Sequence, residues 1–170
     1  MSFLNRILNT FLGDKAQKDI SKIQPLVLEI NKIHKEFVNI SNDDLRNRTV
    51  KLKEKIKETR SQIDKEINEI EIDIESTKSF ETKEQLYLKI DSLEEEAYNS
   101  VQKTLDDILP EAFAIVKETA RRFKLNSSLE VSAQDFDLIF SSKYDYVEVK
   151  NDKAFWKNNW DAAGKPIIWD

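Results

Sequence analysis

The feature that most constrains the fold is a pair of long apolar stripes in a stretch without glycine or proline. From Ser41 to Leu109 neither residue occurs, and the only two glycines of the chain are Gly13 and Gly164. Apolar residues recur there at helical spacing. The first stripe contains Leu45, Leu52, Ile56, Ile63, Ile67, Ile70 and Ile74, and the second contains Leu86, Ile90, Leu93, Ala97, Val101, Leu105 and Ile108. With a short break at Ser76 to Phe80, this pattern predicts an antiparallel, coiled-coil-like helical hairpin.

The N-terminus predicts a short amphipathic helix from Ser2 to Leu12, with Gly13 as its C-terminal stop. Its apolar face consists of Phe3, Leu4, Ile7, Leu8, Phe11 and Leu12. A second amphipathic helix is predicted from Ala16 to Val38, and Pro25 should kink or divide it. Ser41, with Asp44 three residues later, is a candidate N-cap for the hairpin.

The first of these helices is a candidate membrane anchor. It is too short to span a bilayer, and it lacks the basic start and the cleavage site of a secretory signal. An apolar face near basic residues suits a helix that lies in the headgroup region. The basic residues are Arg6, Lys15, Lys18 and Lys22. Docking of this face on its own protein, or on a second copy, is the alternative and stays open.

A further helix is predicted to start at Pro110, because proline is favoured in a first helical turn. Phe113, Val116, Ala120 and Phe123 form the stripe that we expect to be buried, widened by Ala112 and Ile115. Lys117, Glu118, Arg121 and Arg122 occupy the other side. By pattern alone this is an ordinary amphipathic helix of a helical domain.

After Phe123 the pattern changes to short strands. Leu129 to Ser132 is extended, and Ser132 and Asp135 can cap a short helix that carries Phe136, Ile139 and Phe140. Alternation from Tyr144 to Val149, a turn at Asn151-Asp152 and a strand at Ala154 to Lys157 follow. A looser turn from Asp161 to Pro166 leads into Ile167 to Trp169. The predicted fold class is therefore mainly α, with a small C-terminal antiparallel β meander of two or three strands. The three tryptophans, at 156, 160 and 169, are expected to form a small core, although stacking on a base or a peptide is an alternative.

Charge and composition restrict the function classes. Charged residues make up 35% of the chain, and the net charge is −5. Residues 1–60 carry 13 basic and 8 acidic side chains, whereas residues 61–109 carry 5 and 14. We therefore expect no general nucleic-acid binding, which requires a continuous basic face. No cysteine and a single histidine, His34, are present. We expect no metal cluster or catalytic triad, and His34 is predicted to lie on a helix surface.

An acidic outer face on the hairpin is the remaining candidate surface. It comprises Glu66, Glu69, Asp73, Glu84, Glu94, Glu95 and Glu96. It is either a docking surface or, as is more usual for such runs, a solvated helix face. Acid–base catalysis is not expected from it, because nothing raises the pKa of carboxylates that point into water.

Two segments resemble the SecA family of preprotein translocase motor ATPases. Leu109 to Arg122 reads Leu-Pro-Glu-Ala-Phe-Ala-Ile-Val-Lys-Glu-Thr-Ala-Arg-Arg, which is similar to the helix that enters the family's first nucleotide-binding domain. Ile40 to Thr49 resembles a family segment in which serine, acidic residues, leucine, arginine and threonine follow one another in this order. The two follow each other in the family's order. The chain departs from the commonest pattern by extra residues between them, as in longer forms of the Bacteroidetes lineage.

The resemblance implies four divisions: 1–40, N-terminal amphipathic and linker helices; 41–108, an inserted helical hairpin; 109–124, the helix entering the nucleotide-binding domain; and 125–170, a small β-rich insertion. The family's adenine motif and Gly-Glu-Gly-Lys-Thr phosphate loop are not in this sequence, and two glycines cannot supply such a loop. The resemblance therefore implies an N-terminal fragment without catalytic, cofactor or metal residues, and ATP and Mg only in the full-length protein.

The partners that the resemblance implies are the SecY channel, acidic phospholipid, the preprotein and a possible homodimer. The implied location is cytoplasmic and partly peripheral on the cytoplasmic face of the inner membrane. The implied membrane or channel anchor consists of Phe3, Leu4, Ile7, Leu8, Phe11 and Leu12, together with Arg6, Lys15, Lys18 and Lys22. Two other function classes stay open: a stand-alone α-helical hairpin adaptor, and a peripheral lipid-binding protein without any link to ATP.

Overall fold

The computed structural model describes the backbone of residues 3–162 and 165–168, and the side chains of residues 17–159, 165 and 167. Four helices and five strands occur in that part of the chain. The helices are α1 (Phe3–Phe37), α2 (Asn42–Ser76), α3 (Phe80–Leu125) and α4 (Asp135–Ser141). The strands are β1 (Ser128–Ser132), β2 (Val147–Lys150), β3 (Lys153–Lys157), β4 (Asn159–Ala162) and β5 (Lys165–Ile168). The prediction of a mainly α chain with a small C-terminal antiparallel sheet is confirmed.

Helix α1 is one helix rather than two. Its 35 residues run through Gly13 and through Pro25. The predicted stop at Gly13 is therefore wrong. Of the two alternatives predicted at Pro25, division of the helix is wrong and a kink stays a prediction. A glycine in a helix interior costs only about 1 kcal/mol relative to alanine, so it ends a helix only when the following backbone turns away. Proline removes a single backbone donor, and an otherwise strong amphipathic helix tolerates that loss.

Helices α2 and α3 form the predicted antiparallel hairpin. Ser41 caps α2, because its Oγ accepts a hydrogen bond from the backbone N–H of Asp44 at 3.0 Å. Pairing of Glu66 with Lys89 and of Thr59 with Thr104 shows that the two helices run in opposite directions. Far from the chain's β-strands, the helices share a distal core of Ile67, Ile70, Ile74 and Leu93. The two long apolar stripes are thus buried or half-buried as the sequence predicted, except for Leu105, which is 37% exposed.

Helix α3 does not begin at Pro110 but passes through it. The helix extends from Phe80 to Leu125, and the Pro110 side chain is buried. The predicted helix start was wrong because proline suits a first turn but does not require one. Interior proline costs about 3 kcal/mol in an isolated helix. The helix nevertheless continues on both sides of the buried Pro110.

A proximal core lies where α1, α2 and α3 meet. It consists of Phe37, Leu45, Ala114 and Ile115, with Ile30, Ile33, Ile40 and Leu52 packed against it. Phe37 is only 1% exposed. Helix α1 is thus held at its C-terminal end, beside the turn that leads into α2.

The β unit, defined as β1–β3 and α4, adjoins the proximal core. Its three strands have the order β1-β3-β2, and both pairs are antiparallel. Ala154, in the central strand, pairs with Val131 and with Val149. The predicted turn at Asn151-Asp152 is confirmed, and Asn151 adopts a positive φ of 54° that asparagine tolerates well.

Two local predictions in this region were wrong. The strand predicted from Tyr144 starts at Val147, because Tyr144 and the residue after it belong to a turn. The N-cap of α4 is Gln134 and not Ser132, since Asp137 reaches back to the backbone N–H of Gln134. Strands β4 and β5 form a separate antiparallel pair. The side chain of Trp160 and all of Trp169 lie outside the described residues, so a common tryptophan core stays a prediction.

Candidate functional site

The candidate anchor residues all belong to, or immediately follow, the N-terminal part of α1. The backbone from Phe3 onward is helical. The side chains of Phe3, Leu4, Arg6, Ile7, Leu8, Phe11, Leu12 and Lys15 lie outside the described set, so their apolar face stays a prediction. Lys18 and Lys22 are exposed on the same helix.

The next two turns of α1 expose an apolar stripe. Ile20 is 62% exposed, Ile23 is 54% exposed and Leu28 is 61% exposed. The helix becomes buried only from Ile30 onward, where it meets α3. Among the described residues, no helix combines the length and the hydropathy that crossing a bilayer requires.

The face of α3 predicted to be buried between Leu109 and Phe123 is only partly buried. Ile115 is 7% exposed and Ala112, Ala120 and Phe123 are half-buried, but Phe113 is 53% exposed and Val116 is 66% exposed. Glu118, by contrast, is fully buried and Arg122 is 6% exposed. The prediction was therefore wrong for Phe113 and Val116, because the centre of the apolar stripe does not coincide with the buried side of the helix. Here α1 and α2 pack on the side that carries Ala114 and the charged residues. An apolar stripe is left uncovered.

A polar cluster joins α1 to α3. We call it the α1–α3 cluster and define it as His34, Glu118, Arg121 and Arg122. The Glu118 carboxylate accepts hydrogen bonds from Arg121 Nη2 and Arg122 Nε at 2.8 Å each, and it contacts His34 Nε2 at 3.0 Å. The side chain of His34 is only 14% exposed. The prediction of a histidine on the helix surface is therefore wrong, because α1 lies against α3 at this point.

The electrostatics of the cluster stabilise the ionised carboxylate. Burial acts to raise the pKa of Glu118, but the hydrogen bonds and charges of Arg121 and Arg122 outweigh burial and lower this pKa to about 2. A buried carboxylate with such partners is ionised at neutral pH. Its chemistry is that of a structural ion pair and not of a general base.

Arg122 extends this cluster to the turn between α1 and α2. Its Nη2 donates to the carbonyls of Phe37 at 2.9 Å and Ile40 at 2.8 Å, and its Nη1 donates to Asn42 Oδ1 at 2.7 Å. The Phe37 carbonyl is at the C-terminus of α1, where backbone acceptors lack intrahelical partners. One guanidinium thus satisfies the end of α1 and the start of α2 together.

A second buried carboxylate fixes the β unit. Asp137 is fully buried, and both of its oxygens accept from Arg46, at 2.7 and 2.8 Å. Trp156 Nε1 and the backbone N–H of Gln134 also donate to it. Burial acts to raise the pKa of Asp137, but Arg46 and these hydrogen bonds lower it below its ordinary value. Helix α2 is thereby tied to α4 and β3.

Trp156 is the centre of an aromatic cluster on the β unit. Its ring lies 5.8 Å from Phe136, 5.7 Å from Phe140 and 6.3 Å from Tyr146, measured between ring centroids. These contacts agree with the predicted small core around this tryptophan. On the other side, Trp156 borders a cleft of about 230 Å³ between the β unit and the hairpin, lined by Leu45, Thr49, Ile115, Phe123 and Leu129 among others.

The acidic face of the hairpin is mostly solvated. Glu69, Asp73, Glu84, Glu95 and Glu96 are exposed, while Glu94 pairs with Arg60 and Glu66 pairs with Lys89. No group of three or more potential metal ligands is brought together within the described part of the chain.

Sequence reasoning missed both buried carboxylates. The spacing of Glu118, Arg121 and Arg122 does indicate ion pairs along one helix. It does not indicate burial, because His34 is 84 residues away and Asp137 is 91 residues from Arg46. Only the packing of separate elements brings these groups together.

Comparison with known proteins shows the family that the chain matches. The SecA DEAD-like domain family model matches residues 8–139. The chain is 44% identical over all 170 residues to the protein translocase subunit SecA of Flavobacterium psychrophilum, and 44% identical over 170 residues to that of Christiangramia forsetii. It is 41% identical over 166 residues, 97% of its length, to the subunit from Phocaeicola vulgatus. No solved structure matches the chain.

These matches define the class as proteins with a SecA DEAD-like domain. The chain belongs to the SecA family. It spans about 15% of the length of each of these relatives. The matches run through the hairpin and the β unit, so these relatives share both extra segments with the chain. The relatives come from Bacteroidetes, the lineage that the longer form indicated.

Proposed function

We propose that this chain is the N-terminal segment of a SecA-type protein translocase subunit, the ATP-driven motor that moves preproteins through the SecY channel. In this proposal α1 attaches the motor to acidic phospholipid or to the channel at the cytoplasmic face of the inner membrane. Helices α2 and α3 and the β unit act as scaffold. Family membership supports the assignment to the translocase.

One observation carries the proposed role of α1. Among the side chains of α1 that the structure describes, Phe37 at the C-terminal end is 1% exposed, while Ile20, Ile23 and Leu28 are more than half exposed. Lys18 precedes Ile20, and Lys22 lies between Ile20 and Ile23. An apolar stripe beside lysines is the composition of helices that lie in an anionic headgroup region.

ATP and Mg are proposed to bind elsewhere in the longer protein. The two buried carboxylates of this segment are both neutralised by arginines, so neither is free to bind Mg²⁺ or to accept a proton. We expect the purified 170-residue chain to show no ATP turnover above a blank. Turnover that survives further purification would contradict this part of the proposal.

The attachment is tested by flotation with lipid vesicles. We expect the chain to float with vesicles that contain phosphatidylglycerol and to remain at the bottom with vesicles of phosphatidylcholine alone. Changing Phe3, Ile7 and Phe11 together to Asp should abolish flotation, because three charges prevent burial of the apolar face.

A matched control uses three exposed apolar residues of the hairpin. Ile72, Phe80 and Leu88 are 65%, 83% and 63% exposed. Changing these three to Asp should leave flotation unchanged. Loss of flotation in the control but not in the α1 variant would refute attachment through α1.

The two other function classes make different predictions. A hairpin adaptor requires no nucleotide-binding region in the same polypeptide, so a gene that encodes no phosphate loop after Asp170 would favour it. A peripheral lipid-binding protein would float equally well but would not bind purified SecY channel in detergent. Binding to the channel that depends on α1 would favour the translocase.

A further inference from the structure

The N-terminal residues of α2 contact α3, α4 and β1. Asn42 Nδ2 donates to the backbone carbonyl of Glu130 in β1 at 2.9 Å. Asp43 accepts from the backbone N–H of Ser132 at 2.8 Å and from its hydroxyl at 2.9 Å. Arg46 binds Asp137 and also donates to the Ser132 carbonyl. The edge of β1 is thus held by side chains of a helix.

Asn42 connects the α1–α3 cluster to β1. Its Oδ1 accepts from Arg122, and its Nδ2 donates to Glu130 in β1. This orientation is fixed by chemistry, because a guanidinium only donates and a carbonyl only accepts. An amide satisfies both partners at once, whereas a carboxylate satisfies only Arg122.

We propose that Asn42 is a positioning residue that couples the α1–α3 cluster to the β unit. Arg122 holds the end of α1, Asn42 is bound to Arg122, and β1 is bound to Asn42. Displacement of α1 therefore reaches β1 through this amide, which acts beside the contacts of Asp43 and Arg46 with Ser132 and Asp137. The inference goes beyond the proposed attachment to membrane or channel, and it does not depend on it.

The substitution Asn42→Asp removes one of the two hydrogen bonds of this side chain and keeps the other. The variant side chain has nearly the same shape and still accepts from Arg122, but it cannot donate to the Glu130 carbonyl. We expect amide hydrogen exchange in β1 to accelerate about tenfold, the effect of losing one hydrogen bond and gaining repulsion between two acceptors. The amide of Ile40, which donates to the Phe37 carbonyl, should keep its exchange rate.

A matched control is Asn47→Asp, which adds the same charge to an exposed residue of the same helix. Its exchange rates in β1 should equal those of the unchanged protein. An equal acceleration in the control would mean that charge alone causes the effect, and this would overturn the proposal.

The coupling itself is tested by perturbing the α1–α3 cluster in both backgrounds. Arg122→Lys keeps the charge but cannot reach four acceptors at once. When residue 42 is Asn, Arg122→Lys should accelerate amide exchange in β1. When residue 42 is Asp, Arg122→Lys should add little to the acceleration that Asn42→Asp already causes. If Arg122→Lys unfolds the chain, His34→Gln provides a milder perturbation of the same cluster. The proposal would be overturned if the two substitutions accelerated exchange in β1 additively, or if Arg122→Lys had no effect on β1 when residue 42 is Asn. Flotation tests the attachment of α1 separately.

Discussion

At the scale of residues, two buried carboxylates decide how the elements are joined. Glu118 and Asp137 are both fully buried, and each accepts hydrogen bonds from arginine. Removal of one partner from such a pair leaves an uncompensated buried charge, which costs about 3–5 kcal/mol. The exposed pair of Arg60 and Glu94 has the same chemistry but is screened by solvent, so its contribution is small.

The first prediction concerns the pH dependence of stability. The pKa of Glu118 is lowered from 4.5 to about 2 in the folded chain. A lowered folded-state pKa adds stability that is complete above the unfolded-state value and is lost as pH falls through the folded value. The free energy of unfolding should therefore decrease between about pH 5 and pH 2, by about 3 kcal/mol from this group.

Two measurements check this prediction. Urea unfolding at a series of pH values gives the decrease, to which Asp137 adds in the same direction because its pKa is also lowered. Carbon NMR of the Glu118 carboxyl group gives its titration midpoint directly. A midpoint at or above 4.5 would show that the carboxylate is not stabilised by Arg121 and Arg122.

At the scale of elements, α3 has one face toward its partners and one apolar face toward solvent. Ile115 is 7% exposed and Val116, the next residue, is 66% exposed. The exposed stripe also includes Phe113, Leu109 and Leu105. This apolar face is uncovered in the described part of the chain.

The second prediction uses these neighbouring residues. Ile115→Ala should lower the free energy of unfolding by about 2–4 kcal/mol, because it leaves a cavity in the proximal core. Val116→Ala should change it by less than about 0.5 kcal/mol. Urea unfolding of both variants gives the comparison. Equal losses would mean that the face with Val116 is the buried one.

The third prediction concerns the continuity of α1. Since Gly13 lies inside the helix, Gly13→Ala should stabilise α1 by about 0.5–1 kcal/mol and slow amide exchange around residue 13. A glycine that ends a helix in a left-handed conformation would give the opposite result, because alanine is unfavourable there. Faster exchange in the variant would thus show that the helix ends at Gly13, as the sequence predicted.

At the scale of the whole molecule, the described chain has two apolar cores, and different numbers of elements pack around them. The distal core is shared by α2 and α3 alone, whereas the proximal core also receives α1 and lies beside β1. Between them, Thr59 and Thr104 form a hydrogen bond across the hairpin. Regions with fewer partners open at lower free energy than the global transition.

The fourth prediction follows from this difference. Ile70→Ala should accelerate amide exchange mainly in the distal half of the hairpin, because few elements depend on that core. Phe37→Ala should accelerate exchange in α1, in the proximal half of the hairpin and in β1 together. Exchange measured by mass spectrometry on peptic peptides separates these regions. Global acceleration by Ile70→Ala would show that the two cores unfold as one.

The sequence by itself determined the elements of this protein. The repeats of apolar residues determined the hairpin. The preferences of individual residues determined the Ser41 cap and the turn at Asn151-Asp152, because helical spacing and turn preferences are local properties. The resemblance of Leu109 to Arg122 indicated the SecA family before any geometry was known. The length of α1 and α3 was not determined, since Gly13 and Pro110 are compatible with both an end and an interior.

Only the tertiary structure decided which faces are buried. Nothing in the neighbouring sequence indicates that Glu118, Arg122, His34 and Asp137 are buried. Nor does it indicate that the apolar residues Phe113 and Val116 are exposed. A charged side chain enters the interior only where partners from distant segments satisfy it, as Arg46 does for Asp137 across 91 residues. Such pairing depends on how whole elements pack, and that information is not contained in any one stretch of the chain.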